Sequence, residues 1–186
     1  MIDKFTLRAR QEGYRARSAY KLISLNKKYN LIKRNDKVLD LGTWPGSWMQ
    51  VCQNLSAQVT GVDTKQIQYI KNVRFILGDI FKKETRDKIY SLEKFDVVLS
   101  DLAPRISGNI EQDQYKSLEL SKIAFNIARK VLNRNGNFVC KTFQSQEFNE
   151  FLKDIKNYFN FVKATKPEAS KKSSKEMYIV AKGYRT

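Results

Sequence analysis

The sequence predicts an α/β fold: a mainly parallel, doubly wound sheet, covered by helices on both faces and finished by a closing antiparallel strand. Three features carry this. The stretch from Val38 to Trp48 is a short apolar run that Gly42, Pro45 and Gly46 break off, and Trp48, Val51, Cys52 and Leu55 then follow at helical spacing. Short apolar runs and amphipathic segments alternate along the rest of the chain, as strands linked by crossover helices should. Three of the runs also close on an acid, at Asp63, Asp79 and Asp101, so a parallel sheet would gather those carboxylates along one edge.

In chain order, the first segment is rich in arginine and tyrosine, with Arg8, Arg10, Arg15 and Arg17 before a helix expected from about Ser18, which would cap it. Such a lead-in suits RNA phosphates and stacked bases, and equally a solvated amphipathic helix. Val38 to Leu41 opens the sheet, and the glycine loop lets a ligand approach bare backbone at the N-terminus of the next helix. The glycines match neither the dinucleotide fingerprint nor the phosphate-cradling loop. Gln58 to Asp63 is a second strand whose terminal acid is placed to accept from a ribose diol. Asn72 to Asp79 reads as a third, with Asp79 holding an adenine amino group or capping the next turn. Phe95 to Asp101 is the most continuous apolar run and so the expected sheet centre. Ser107 to Gln114 reads as a mobile polar loop, and Tyr115 to Leu132 as a long amphipathic helix stopped at Asn133 to Gly136. Asn137 to Phe143 is a strand with a lysine inside it. Burying an ammonium without a partner is costly, so Lys141 requires a carboxylate, an open cleft or a lowered proton affinity. Glu147 to Phe159 gives one more helix, and Phe161 to Lys163 and Glu176 to Ala181 a closing pair of strands. The connector Thr165 to Lys175, with Lys171, Lys172 and Lys175, reads as a basic loop for a phosphate backbone or as a solvated hairpin tip.

Composition narrows the chemistry. The 186 residues suit one domain, taken as 1–186 with a basic helical lead-in over 1–36, and 41% hydrophobic residues can build its core. Lysine and arginine number 35 against 19 acids, a formal charge of +16 that favours a polyanionic partner, nucleic acid ahead of an acidic membrane. Histidine is absent, which removes imidazole bases, His-containing triads and the common zinc motifs. Cys52 and Cys140 sit in separate apolar segments, so neither a disulfide framework nor a cysteine metal site is expected. The expected setting is intracellular and reducing, cytoplasmic or else mitochondrial, otherwise organellar or nucleolar. No apolar run reaches membrane-spanning length, and neither a membrane nor a metal is expected as a partner.

Four stretches, in order, resemble the FtsJ-type (heat-shock-induced) RNA 2′-O-ribose methyltransferases: Ser18 to Leu22, Asp40 to Trp48, Val98 to Pro104 and Phe138 to Gln144. The tail from Lys166 to Ser170 and from Ser174 to Val180 is similar to that family's closing motif. The resemblance implies a Rossmann-like class I methyltransferase fold with S-adenosylmethionine as cofactor and S-adenosylhomocysteine as product. It places a catalytic Lys-Asp-Lys-Glu tetrad at Lys21, Asp101, Lys141 and Glu176, and cofactor contacts at Gly46, Trp48, Asp63, Asp79 and Asp101. Trp44 and Ser47 depart from the family pattern, where Ala and often Gly stand.

Methyl transfer is an in-line displacement, so the site must align a ribose hydroxyl with the methyl group and relieve it of its proton. Lys141 is the expected acceptor, with Asp101 and Glu176 orienting the two lysines. The compact length resembles the ribosomal RNA members acting on a uridine of the large-subunit RNA, which makes ribosomal RNA or the large ribosomal subunit the expected partner. A tRNA anticodon-loop enzyme shares these motifs. A catalytically silent RNA-binding module would not need the tetrad, and a nicotinamide oxidoreductase lacks its glycines here.

Overall fold

The computed structural model describes residues 3–171 and 173–186. The chain runs through α1 (Lys4–Gln11), α2 (Ala19–Tyr29), β1 (Lys37–Leu41), α3 (Ser47–Asn54), β2 (Gln58–Asp63), β3 (Arg74–Leu77) and α4 (Lys83–Tyr90). It continues through β4 (Phe95–Ser100), α5 (Ile110–Val131), β5 (Leu132–Phe143), α6 (Phe148–Lys156), β6 (Phe159–Thr165) and β7 (Glu176–Tyr184). The strands form one sheet in the order β3-β2-β1-β4-β5-β7-β6. Only β7 runs against its neighbours, pairing antiparallel with both β5 and β6.

Strand alternation divides the core into two layers, because successive side chains point to opposite faces. Val38, Leu99, Val139, Tyr178 and Val180 face α2 and α3, which contribute Leu22, Leu25, Trp48, Met49 and Cys52. Leu39, Val98, Phe138, Cys140 and Ile179 face the other way, against Phe125, Ala128 and Val131 of α5 and Phe151 and Ile155 of α6. Both cysteines are buried and free.

Several boundaries differ from the sequence expectation for physical reasons. α1 is an additional helix, capped by Asp3, whose carboxylate accepts from Phe5 N at 3.1 Å and Thr6 N at 3.3 Å. Ser18 precedes α2 without capping it, and its hydroxyl instead meets Ser47 Oγ at 2.7 Å. α4 escapes the periodicity because only Thr85 and Ile89 are buried on an otherwise polar helix. Most of the segment expected to be a mobile loop belongs to α5. Asn109 Oδ1 accepts from Gln112 N at 3.1 Å, and buried Asp113 receives Ser107 N at 2.9 Å and Ser107 Oγ at 2.8 Å. The basic connector is partly folded in, with Ala169 against Ala9 and Tyr20. Lys172, counted in that connector, lies outside the described residues, as do Met1 and Ile2.

Two constraints fix the centre of the sheet. Gly61 lies in β2 beneath the glycine loop and α3, where a Cβ would stand 2.5 Å from Thr43 Oγ1 and 2.8 Å from Met49 Sδ. Asp40, in β1, is fully buried, and its one hydrogen-bonded oxygen, Oδ2, accepts from Thr43 Oγ1 at 3.1 Å. Burial pushes its carboxyl up to about 7, the Thr43 hydroxyl opposing and the charges of Asp101 and Asp63 adding to the rise. Gly61→Ala is expected to cost about 1–3 kcal/mol in denaturant unfolding, because the new methyl overpacks Thr43 and Met49. For Asp40 the folded-state value lies above the ordinary 3.8, so the proton is held more tightly in the fold than in the unfolded chain. The resulting stability is complete in acid and drains as pH rises through about 7. Unfolding free energy should therefore fall by about 1.4 kcal/mol per pH unit between about 5 and 7, and Asp40→Asn should flatten that slope.

Candidate active site

The site is built at the carboxyl edge of the sheet. After β1 the chain turns at Gly42, whose φ of +82° suits glycine and whose missing Cβ leaves room for Leu102, 2.9 Å from where that atom would be. The loop then lies across the end of β2: Gly42 N and Thr43 N donate to Val62 O at 2.9 and 3.3 Å, and Trp44 N donates to Asp63 Oδ2 at 2.8 Å. The Trp44–Pro45 peptide is cis, and Gly46, at φ +105°, ends the loop as the residue preceding α3. From outside, Arg15 clasps it. Its guanidinium donates to Pro45 O, Gln68 O and Tyr69 O, each at 3.0 Å, binding the glycine loop to the segment after β2.

Beside this loop lie two ion pairs. Lys141 Nζ stands 3.0 Å from Asp101 Oδ1 and donates to the Asp101 carbonyl at 2.8 Å. Lys21 Nζ stands 2.7 Å from Glu176 Oε1, with both side chains about as buried. Parallel pairing of Ser100 with Cys140 puts Asp101 next to Lys141, while antiparallel pairing of Lys141 with Tyr178 brings Glu176 to the same face. Lys21 arrives from the first turn of α2, packed over that face. Between the pairs lies Tyr178. Its hydroxyl donates to Asp101 Oδ1 at 2.6 Å, and its ring centroid lies 5.7 Å from Lys21 Nζ. Burial, reinforced by the Asp101 and Glu176 charges, raises that phenol well above its ordinary value, which keeps it a donor.

The remaining candidate residues divide. Asp63 and Asp79 stand at adjacent strand ends, since Asp63 pairs with Leu77 and Asp79 follows two residues on. Asp63 Oδ1 accepts from Lys65 N at 2.9 Å, and Asp79 Oδ1 caps the next turn by accepting from Phe81 N at 2.9 Å. Trp48 contributes no exposed indole: its Nε1 donates to Ser18 O at 2.8 Å and its ring lies 6.1 Å from that of Tyr178, beneath the tetrad. Of the two departures from the family pattern, Ser47 is buried against Ser18, and Trp44 is half exposed with Lys65 Nζ 4.5 Å above its ring.

Tyr178 is the residue that reasoning from sequence passed over, and Arg15, read there as part of a lead-in for RNA phosphates, instead holds the glycine loop. The signal for Tyr178 was its place two residues beyond Glu176, hence on the same face of a strand. For Arg15 there was none, because its partners are main-chain carbonyls far along the chain. Three of the four lead-in arginines are engaged within the fold. Arg8 pairs with Glu12 at 2.7 Å, Arg17 with Asp3 at 2.8 Å and with the Ala169 carbonyl, and Arg15 holds the loop. Arg15 and Arg17 are therefore structural, whereas Arg8 remains on the surface.

The chain matches the family model described as FtsJ-like methyltransferase over residues 14–184. It is 44% identical to a protein of Archaeoglobus fulgidus named ribosomal RNA large subunit methyltransferase E, over 98% of this chain and 96% of that one. A protein of the same name from Methanosarcina mazei is 45% identical over 99% of this chain and 70% of its own length. Among solved structures, one described as a ribosomal RNA methyltransferase of Plasmodium falciparum superposes with a TM-score of 0.81 at 33% identity, covering 92% of this chain and 98% of that one. With the motifs, the sheet order and these matches in agreement, the chain belongs to the FtsJ-like methyltransferase family.

Proposed function

We propose that this methyltransferase moves a methyl group from S-adenosylmethionine to a ribose 2′-hydroxyl of large-subunit ribosomal RNA, at a uridine, with residues 1–186 acting as one domain. The observation that supports this best is the meeting of Lys21, Asp101, Lys141 and Glu176 around Tyr178, at the sheet edge that also carries the glycine loop. The names carried by its relatives favour ribosomal RNA over tRNA.

The residues at the loop suit the cofactor. Gly42 and Gly46, both at positive φ, let the loop turn while Leu102 and Arg15 pack against it, and Asp63, Asp79 and Asp101 offer carboxylates at three strand ends for a ribose diol, an adenine amino group and a cationic centre. Trp48 would contribute through its main-chain N–H in the first turn of α3, and Gly46, whose own N–H donates to Thr43 O at 2.6 Å, by shaping the loop. When bound, S-adenosylmethionine supplies an electrophilic sulfonium methyl.

The chain's own groups do the rest. Lys141 Nζ donates to the Asp101 carbonyl and lies in ion-pair contact with its carboxylate, which fixes the nitrogen at the rim of the site. Entering the step as the neutral amine, Lys141 Nζ takes the proton of the attacking 2′-hydroxyl and becomes the ammonium that pairs with Asp101, itself steadied by Tyr178. Glu176 holds Lys21 as a fixed cation that steadies developing negative charge on the same oxygen.

Labelled S-adenosylmethionine incubated with large ribosomal subunits or with total tRNA, followed by mapping of 2′-O-methyl positions, tests the assignment. Label is expected on subunit RNA, and label on tRNA alone would overturn it. Lys141→Arg keeps a cation beside Asp101 but cannot accept a proton, so kcat should drop by about 10²-fold or more with cofactor binding retained. An Arg variant with full activity would remove Lys141 from proton transfer. Tyr178→Phe, which leaves Asp101 short of one donor, should lower kcat by about tenfold and leave the KM for RNA in place.

A further inference from the structure

A cleft of about 560 Å³ opens at the end of β5, β6 and β7 away from the tetrad. Its walls carry three lysines, Lys28, Lys33 and Lys182, and no carboxylate lines it. Two aromatic rings stand in it: Tyr29, closing α2, and Phe161 of β6, with centroids 6.1 Å apart and 43% of Phe161 exposed. Asparagine amides complete the lining. Asn137 donates to Leu31 O at 2.7 Å and Asn160 accepts from Arg185 Nε at 3.0 Å, so both are held in place. Lys182 Nζ donates to Tyr29 O at 2.6 Å, and the Tyr29 hydroxyl, screened from solvent, has no hydrogen-bond partner among the described residues. Lys28 Nζ lies 5.4 Å from the Tyr29 ring, and the half-exposed Phe161 ring beside these lysines offers a flat apolar face within a positively charged wall.

The cleft is joined to the tetrad. Asn137 and Lys141 lie on one face of β5, about 13 Å apart at the usual strand rise, and the same helix, α2, carries Lys21 near its start and Lys28 near its end. A second hollow of about 380 Å³ lies between them along α2, lined by Ser24, Lys27 and Lys28 on one side and Thr165 and Lys166 on the other, with Glu168 at its edge. Lys28 borders both hollows. Lys28 thus links the far cleft to a hollow that also carries Lys27 and Lys166, on the helix whose first turn holds Lys21.

We infer that this cleft binds a single-stranded segment of the RNA substrate, with a base stacked on Phe161 and its phosphates on Lys28 and Lys33. Exposed rings beside lysines bind single strands because every base has a flat face to stack, whereas a duplex keeps its bases covered. The inference rests on RNA being the substrate, and it adds a second contact that holds the strand at a fixed distance from the tetrad.

The test is a fluorescence titration of a labelled mixed-sequence single-stranded RNA, without cofactor, against the wild type, Phe161→Ala, Phe161→Tyr and the double variant Lys28→Glu/Lys33→Glu. Phe161→Ala should weaken binding about tenfold, with Phe161→Tyr restoring it. The double variant should make the salt dependence shallower by about 1.4 in log-log slope, two phosphates at 0.7 each. In methylation assays both damaged variants should raise the KM for RNA at unchanged kcat, with unfolding transitions matching the wild type. Equal affinity and equal slope in all four proteins would overturn the inference. So would a loss seen on assembled subunits but not on protein-free RNA, which would assign the cleft to a ribosomal protein. Because binding is read without methyl transfer, a chain that grips RNA here yet transfers no methyl fails only the proposed reaction. One that methylates RNA while the variants bind like wild type fails only this inference.

Discussion

The hydrogen bond from the Tyr178 hydroxyl to Asp101 is the interaction on which the site depends. It exists because β7 enters the sheet antiparallel between β5 and β6, which sets Tyr178 opposite Lys141. Shifting that register by one residue would turn Tyr178 and Glu176 into the opposite layer, among Phe138 and Phe125. The Lys21–Glu176 pair would then be broken and Asp101 would lose the Tyr178 hydroxyl, leaving Lys21 without its partner. The core packing of Tyr178 and Val180 against α2 and α3 resists that shift, so the hydrophobic layer and the polar site fix the same register.

Around this centre the polar groups are arranged in tiers. Lys141 and Asp101 hold each other, Tyr178 holds Asp101, and Trp48 packs beside Tyr178 while its indole nitrogen holds the start of α2, which delivers Lys21. Arg15 and Asp63 fasten the glycine loop from opposite sides, one through carbonyls and the other through the Trp44 amide. Asp63 therefore combines a structural duty with the one proposed for it toward a ribose. Asp40 lies directly below, held by a threonine of the same loop.

The positive charge is not spread evenly in its use. Of the lead-in arginines, Arg15 and Arg17 are held by the fold, through main-chain carbonyls and Asp3, while Arg8 stays on the surface in a pair with Glu12. Lysines at the far end of the sheet stay nearer the surface, Lys28 over the Tyr29 ring and Lys182 fastening the end of α2. Lysine suits that outer role as a flexible point charge, while the rigid fork of arginine suits the fixed carbonyls that Arg15 binds.

The sequence by itself determined the sheet and its active edge. Runs such as Phe95 to Ser100 leave little choice but a buried strand, and glycines after Val38 to Leu41 leave little choice but a turn into a helix. Acids at Asp63, Asp79 and Asp101 were legible as strand ends because each closes an apolar run, where a carboxylate can regain solvent. Only the tertiary structure decided where α4 would lie, since its polar sequence gains its place from two buried contacts at Thr85 and Ile89. It likewise decided that Trp48 would turn inward, that Arg15 would clasp the loop, and that Tyr178 would join the two ion pairs. Each of these depends on partners far off in the chain, and local periodicity records which face a residue takes but not what it meets there.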